Sequence, residues 1–146
     1  MKKPYTVFIT GASEGIGASI ARTLCSNGLN VFAFARREAK LHDLKTSCSN
    51  MSGNLDFFAG DVTSNDDLQK ASNLCLSRFS NLDILIPNAG IGFFNPLHKG
   101  SIKEWELMVD VNVTGVLRTI HATLPHLVKS KGHIINIGSV AARNVF

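Results

Sequence analysis

No stretch of this chain approaches the roughly 20 consecutive apolar residues of a membrane span, so no membrane-spanning helix is expected. The opening MKKPYTVFIT imitates a secretory leader, with two lysines before an apolar run, but Gly11, Ser13 and Glu14 end that run too early. Cysteine is sparse. Cys25, Cys48 and Cys75 are odd in number, widely spaced and free of any C-x-x-C pattern. That excludes a disulfide framework and points to reduced thiols, small apolar fillers on helix faces, in a cytoplasmic protein. The five histidines, His42, His98, His121, His126 and His133, fall into no metal-ligand spacing such as H-E-x-x-H, so no metal is expected. The net charge of +4 is scattered, and its densest cluster is only Arg36-Arg37-Glu38-Ala39-Lys40. Without a basic stripe or a known module, no nucleic-acid partner is expected. A local demand for an anionic ligand fits better.

Internal repeats, linkers and low-complexity stretches are also missing, and 146 residues suit one compact domain over residues 1–146. With 45% hydrophobic and 18% charged residues, the chain is neither disordered nor fibrous. What is present is an alternation. TVFIT (6–10), NVFAFA (30–35), NLDFFAGD (54–61), LDILIPNAG (82–90) and HIINIGS (133–139) read as strands, the fourth running into a turn. Helical spacing fills the gaps: 16–28, with Ile16, Ile20 and Leu24; 38–49, with Leu41, Leu44 and Cys48; and 64–79, with Leu68, Ala71, Cys75 and Phe79. Ser101 and Glu104 form a capping-box pattern opening a long helix to about residue 129, its apolar spacing carried by Trp105, Met108, Val109, Val113, Val116 and Leu117. Pro125 is expected to bend or shorten that helix. Strands that read as continuous apolar runs are covered on both faces. The expected fold is therefore α/β, a doubly wound parallel sheet ordered 3-2-1-4-5.

In such a sheet the ligand crevice lies beyond the C-terminal strand ends, where strand order reverses. Here that is the ends of strands 1 and 4. Strand 1 runs into TGASEGIGAS (10–19), with Gly11, Gly15 and Gly17, and strand 4 ends in the second bare turn, Asn88-Ala89-Gly90. Gly11 allows a tight turn, Gly15 lets backbone approach a pyrophosphate at the helix N-terminus, and Gly17 lets that helix pack closely. The G-x-x-x-G-x-G spacing is neither the G-x-G-x-x-G form nor a P-loop, which needs a following Lys. Taken alone, such a loop suits a dinucleotide, a methyl-donor cofactor or a plain structural turn.

Five segments, in order and over nearly the whole chain, resemble the short-chain dehydrogenase/reductase family. TGASEGIG (10–17) is similar to its T-G-x-x-x-G-x-G cofactor loop, and GDVT (60–63) to the Asp-Val pair ending its third strand. PNAG (87–90) resembles its N-N-A-G turn with Pro87 in place of the first Asn. VNVTG (111–115) resembles its helix-4 segment, and GHIINIGSVA (132–141) its fifth strand. The resemblance implies a Rossmann-like NAD(P)-binding domain, its later strands missing, and hydride transfer between a nicotinamide and a small carbonyl or alcohol substrate. It implies catalytic roles for Ser139, which would hold the substrate oxygen, and Asn112, which would support a proton relay. Cofactor contacts are implied for Gly11, Ser13, Glu14, Gly15, Ile16 and Gly17, for Asp61 and Val62 beside the adenine, and for Asn88, Ala89 and Gly90. A homo-oligomer is implied for the full-length form.

Where NAD-binding relatives carry an acidic residue after strand 2, this chain has Ala35, then Arg36 and Arg37. A guanidinium fork suits a 2′-phosphate, so NADP is favoured over NAD. Glu14, beside the second glycine, opposes that choice by repulsion of about 1 kcal/mol. The family's Tyr and Lys, at Y-x-x-x-K after the Ser, have no counterpart up to Phe146, and the one tyrosine, Tyr5, begins strand 1. Two readings of that gap stay open: the chain is part of a longer protein, or it binds a dinucleotide without turnover, as a sensor or structural partner. Strand 5, as the last strand, would expose an apolar edge, so the isolated chain is expected to be poorly soluble.

Overall fold

A computed structural model describes residues 4–93 and 95–140. It shows five parallel strands: β1 (Thr6–Thr10), β2 (Asn30–Ala35), β3 (Leu55–Ala59), β4 (Ile84–Ile86) and β5 (His133–Ile134). They lie in the order β3-β2-β1-β4-β5. The register pairs Phe8 with Phe32 and Leu85 across the central strands. Between the strands run α1 (Gly15–Ser26), α2 (Glu38–Ser47) and α3 (Asn65–Phe79). A long helical segment then joins β4 to β5. It comprises α4 (Ile102–Val109), one π-helical stretch (Asp110–Thr114) and α5 (Gly115–Ser130).

Side chains alternate across a strand, and the two faces of β1 and β2 feed two cores. Val7, Ile9, Val31 and Ala33 pack with Ala18, Ala21 and Leu41 on the α1–α2 side. Phe8, Phe32 and Phe34 pack with Leu68, Ala71, Val111 and Leu127 on the α3–α5 side. The Phe8 ring stacks at 5.3 Å on Phe32 and 6.1 Å on Phe34. Each fully buried ring of this kind stabilises the sheet by about 1.5–3 kcal/mol. Cys25, Cys48 and Cys75 are buried free thiols. Burial pushes the Cys25 thiol up to about 12, helped by the adjacent Cys48 thiol. Burial likewise pushes Cys75 up to about 12.

Several boundaries differ from the sequence reading. β4 is confined to Ile84–Ile86, because Leu82 and Asp83 lead in through the Asp83 amide bond to the Thr6 carbonyl while Pro87 offers no donor. β5 proper is two residues, yet the amides of Ile135 and Ile137 still reach the carbonyls of Leu85 and Pro87. The long helix is not broken at Pro125, which lies inside α5; its irregularity is the π-helical stretch fifteen residues earlier. The capping box at its start is formed, with the Ser101 amide donating to Glu104 Oε2.

The apolar spacing of the long helix also misled. Val109, Val113 and Leu117 are exposed, and the buried face is Val111, Gly115, Thr119, Ala122, Thr123 and Leu127. Close approach to the neighbouring elements demands small residues there. A Cβ on Gly115 would meet Val62 Cγ2 at 2.9 Å. Thr119 and Thr123 satisfy their buried hydroxyls on carbonyls four residues back. Among the described residues no helix is long and apolar enough to cross a membrane.

Candidate functional site

The chain leaves β1 to build β2 and β3 on one side, then crosses back to place β4 on the other. The β1/β4 boundary is therefore the reversal point, and its C-terminal end opens into a cleft of about 510 Å³. Four loops wall it. The β1–α1 loop supplies Gly11, Ser13, Glu14, Ile16 and Gly17; the end of β2 supplies Arg36 and Arg37. Asp61 and Val62 come from the loop after β3, and Asn88, Ala89 and Gly90 from the loop after β4.

The loops fit together because they are nearly bare. Gly11 adopts a left-handed φ of +67°, and a Cβ there would stand 2.8 Å from the Ala89 Cα. A Cβ on Gly17 would collide with the Gly11 carbonyl oxygen and lie 2.6 Å from Asn88 Nδ2. Gly17 thus lets α1 close on its own loop and on the β4 turn, rather than on the sheet. Gly15, at φ +57°, has nothing within 4 Å of its missing side chain and faces open solvent on the rim.

Asn88 is a staple as much as a wall. Its Nδ2 donates to the carbonyls of Thr10 (3.0 Å) and Gly11 (3.3 Å). Thr10 Oγ1 accepts the backbone amides of Asn88 and Ala89, each at 3.0 Å. Thr10, which opens the glycine motif, was assigned no role in the sequence reading; its signal was a hydroxyl at the last position of an otherwise apolar strand. Ala35 lines the cleft too, and Phe34, Gly60, Ile91 and Val111, which also line it, were missed, because position alone gives no such signal for apolar residues. Asp61 Oδ1 accepts the Thr63 amide and its own amide donates to Asp67 Oδ2, which fixes the turn carrying Val62.

Asn112 and Ser139 do not line this cleft. Both ends of the Asn112 amide are engaged by Ile91: Oδ1 accepts its amide at 2.9 Å and Nδ2 donates to its carbonyl at 2.8 Å. Asn112 therefore clamps the segment that follows the Asn88–Gly90 turn. Arg118 braces the π-helical stretch that presents it, with Nη1 2.6 Å from Asp110 Oδ1. Ser139 is exposed and lies two residues beyond Ile137, whose amide bonds Pro87, so it leaves the sheet at the same end as the cleft.

The electrostatics are uneven. Glu14 is the N-cap residue of α1, yet its side chain makes no capping bond. It turns instead to Arg37, 2.6 Å from Nη2, and the same guanidinium donates to Ser13 Oγ at 2.9 Å. The hydrogen bond from Arg37 holds the Glu14 carboxyl below its ordinary range. The amides of the first α1 turn are left without a side-chain acceptor, the arrangement that receives an anion. Arg36 is exposed and, among the described residues, has no ion-pair partner. Ala35 puts no carboxylate at the end of β2. Among the described residues no group of three or more His, Cys, Asp and Glu could hold a metal ion.

Comparison with known proteins agrees with this fold. Residues 5–146 match the family model described as short chain dehydrogenase. The chain belongs to the short-chain dehydrogenase family. It is 38% identical over 137 residues to an NADP-dependent 3-hydroxy acid dehydrogenase of Escherichia coli, covering 92% of this chain and 54% of that protein. An alcohol dehydrogenase from the archaeon Thermococcus sibiricus, solved with 5-hydroxy-NADP, superposes with a TM-score of 0.92 at 32% identity, over 98% of this chain and 62% of that one. A carveol dehydrogenase from Mycobacterium avium, solved with NAD, also gives 0.92, at 26% identity, over 99% of this chain and 57% of that one. The chain spans a little over half the length of the curated relatives it matches.

Proposed function

We propose that residues 1–146 form the dinucleotide-binding part of an NADP(H)-dependent oxidoreductase that interconverts a small carbonyl compound and its alcohol. The single observation that carries this reading is the open, uncapped start of α1 at Gly15, set beside an Arg36 with no ion-pair partner among the described residues and no carboxylate at the end of β2. The residues fit the cofactor. First-turn amides of α1 would take the pyrophosphate, Val62 would flank the adenine, and Arg36 would meet a 2′-phosphate. The bound nicotinamide would supply the hydride.

The chain's own residues do the positioning. Asn112 holds Ile91, and Thr10 with Asn88 holds the β4 turn, so that Asn88–Gly90 presents backbone rather than side chains to the ligand. Ser139, leaving the sheet at this end, would donate its hydroxyl to the substrate oxygen, the electrostatic strategy for a developing alkoxide. Tyr5 lies just before β1, at the opposite end of the sheet, and cannot serve as proton donor in the cleft.

Arg36→Ala tests the cofactor assignment. NADPH affinity, read by nicotinamide fluorescence titration, is expected to fall roughly 10- to 100-fold, the loss of a charge-assisted pair. NADH affinity is expected to hold within about threefold, because NADH has no 2′-phosphate for that pair. Equal losses for both would contradict the assignment.

A further inference from the structure

Two arginines stand in sequence at the adenosine end of the cleft, and the fold treats them differently. Arg37, the N-cap residue of α2, makes no capping bond; its guanidinium crosses the mouth to Glu14 and Ser13. Arg36, its neighbour, has no ion-pair partner among the described residues. The Glu14–Arg37 contact joins two loops 23 residues apart in sequence, both of which line the cleft. The pair is open to solvent, with side-chain exposures of 66% for Glu14 and 49% for Arg37. Exposed pairs of this kind are weak, so either partner is readily drawn to a stronger one. A phosphate dianion beside Arg36 is such a partner: it carries more charge than a carboxylate and accepts a guanidinium in the bidentate mode.

We infer that Glu14 is a specificity-determining residue acting as a built-in competitor of the ribose 2′-phosphate for Arg37. A dinucleotide carrying that phosphate draws Arg37 away from Glu14 and gains a second guanidinium. A dinucleotide with free ribose hydroxyls leaves the Glu14–Arg37 latch closed and gains nothing from Arg37. Glu14 therefore lowers the preference for the phosphorylated cofactor below what two unpaired arginines would give. This inference rests on the NADP reading proposed above, and the variants below separate the two.

NADPH and NADH are titrated into the wild type, Glu14→Gln, Arg37→Ala, Arg36→Ala and the Glu14→Gln/Arg37→Ala double variant. Glutamine keeps the size of the side chain at an exposed position, and the melting temperature checks that each variant folds. Glu14→Gln is expected to tighten NADPH about 3- to 10-fold over the wild type, by freeing Arg37. NADH is expected to change by less than about twofold, because it engages neither group. The NADPH gain is expected to vanish in the double variant. No gain, a gain shared equally by NADH, or a gain that survives without Arg37 would overturn the inference. The NADP reading falls on a different result, an Arg36→Ala variant that loses both cofactors alike.

Discussion

Gly17→Ala is expected to lower the folding stability by about 2 kcal/mol and to weaken dinucleotide binding at least about tenfold. Two effects oppose each other. Alanine is the better helix former by about 1 kcal/mol, and Gly17 is inside α1. The added methyl, however, meets the Gly11 carbonyl oxygen and Asn88 Nδ2, and the first of these is backbone that no rotamer change can clear. Overpacking against fixed atoms costs about 1–3 kcal/mol and occasionally more, so the clash wins. The relief available is a shift of α1 away from the β4 turn, which also displaces the first-turn amides proposed to hold the pyrophosphate. Denaturant unfolding and NADPH titration check the two parts. A variant as stable as wild type, with unchanged affinity, would show that α1, the loop before it and the β4 turn are not in close contact.

Thr10→Val is expected to be as damaging without changing the shape of the side chain. Thr10 is buried, and its hydroxyl is the acceptor for two backbone amides, those of Asn88 and Ala89. Valine takes the acceptor away from both donors, which are half-buried beside the cleft. An orphaned buried group costs about 1–3 kcal/mol; for two half-buried amides the lower part of the summed range applies, about 2–4 kcal/mol, with dinucleotide affinity falling because the β4 turn is no longer held against Gly11. Thr10→Ser retains the hydroxyl and is expected to recover most of the binding while losing only the packing of one methyl group. If Val and Ser variants behave alike, the hydroxyl does not staple the turn.

The features that were legible in the sequence depend on local chain chemistry. Apolar β-rich runs alternating with helical spacing fixed the order of elements, and the positions of Gly11, Gly15 and Gly17 between a strand and a helix marked the cleft. A glycine reports its own backbone, so its demand for a left-handed φ or a close approach can be read without knowing the neighbour. What escaped was made by partners distant in sequence. The Glu14–Arg37 pair links two loops, and treating Glu14 as a simple repelling charge missed that a cation neutralises it. Thr10 looked like the polar end of a strand until the turn 78 residues later supplied the two amides it accepts. On the long helix, hydrophobic spacing pointed to Val109, Val113 and Leu117, whereas tight packing against Val62 and α3 selected glycine, alanine and threonine for the buried face. Area burial favours large apolar residues, but helix-to-sheet distance decides which face can come close. The π-helical stretch was likewise invisible, because it is held by Arg118 on Asp110 and places Asn112 on Ile91, contacts that no helical periodicity encodes. Residues 141–146, beginning with the last residue of GHIINIGSVA, lie outside the described residues.

Hydrogen–deuterium exchange with and without saturating NADPH tests the location of the binding site most directly. Slowed exchange is expected in residues 10–18, 35–37 and 87–91, the loops at the C-terminal ends of β1, β2 and β4. The opposite end of the sheet, around Asn30 and residues 54–56, is expected to exchange at the same rate in both states. Protection concentrated at that opposite end, or no protection of the glycine loop once NADPH is bound, would contradict a dinucleotide seated at the start of α1.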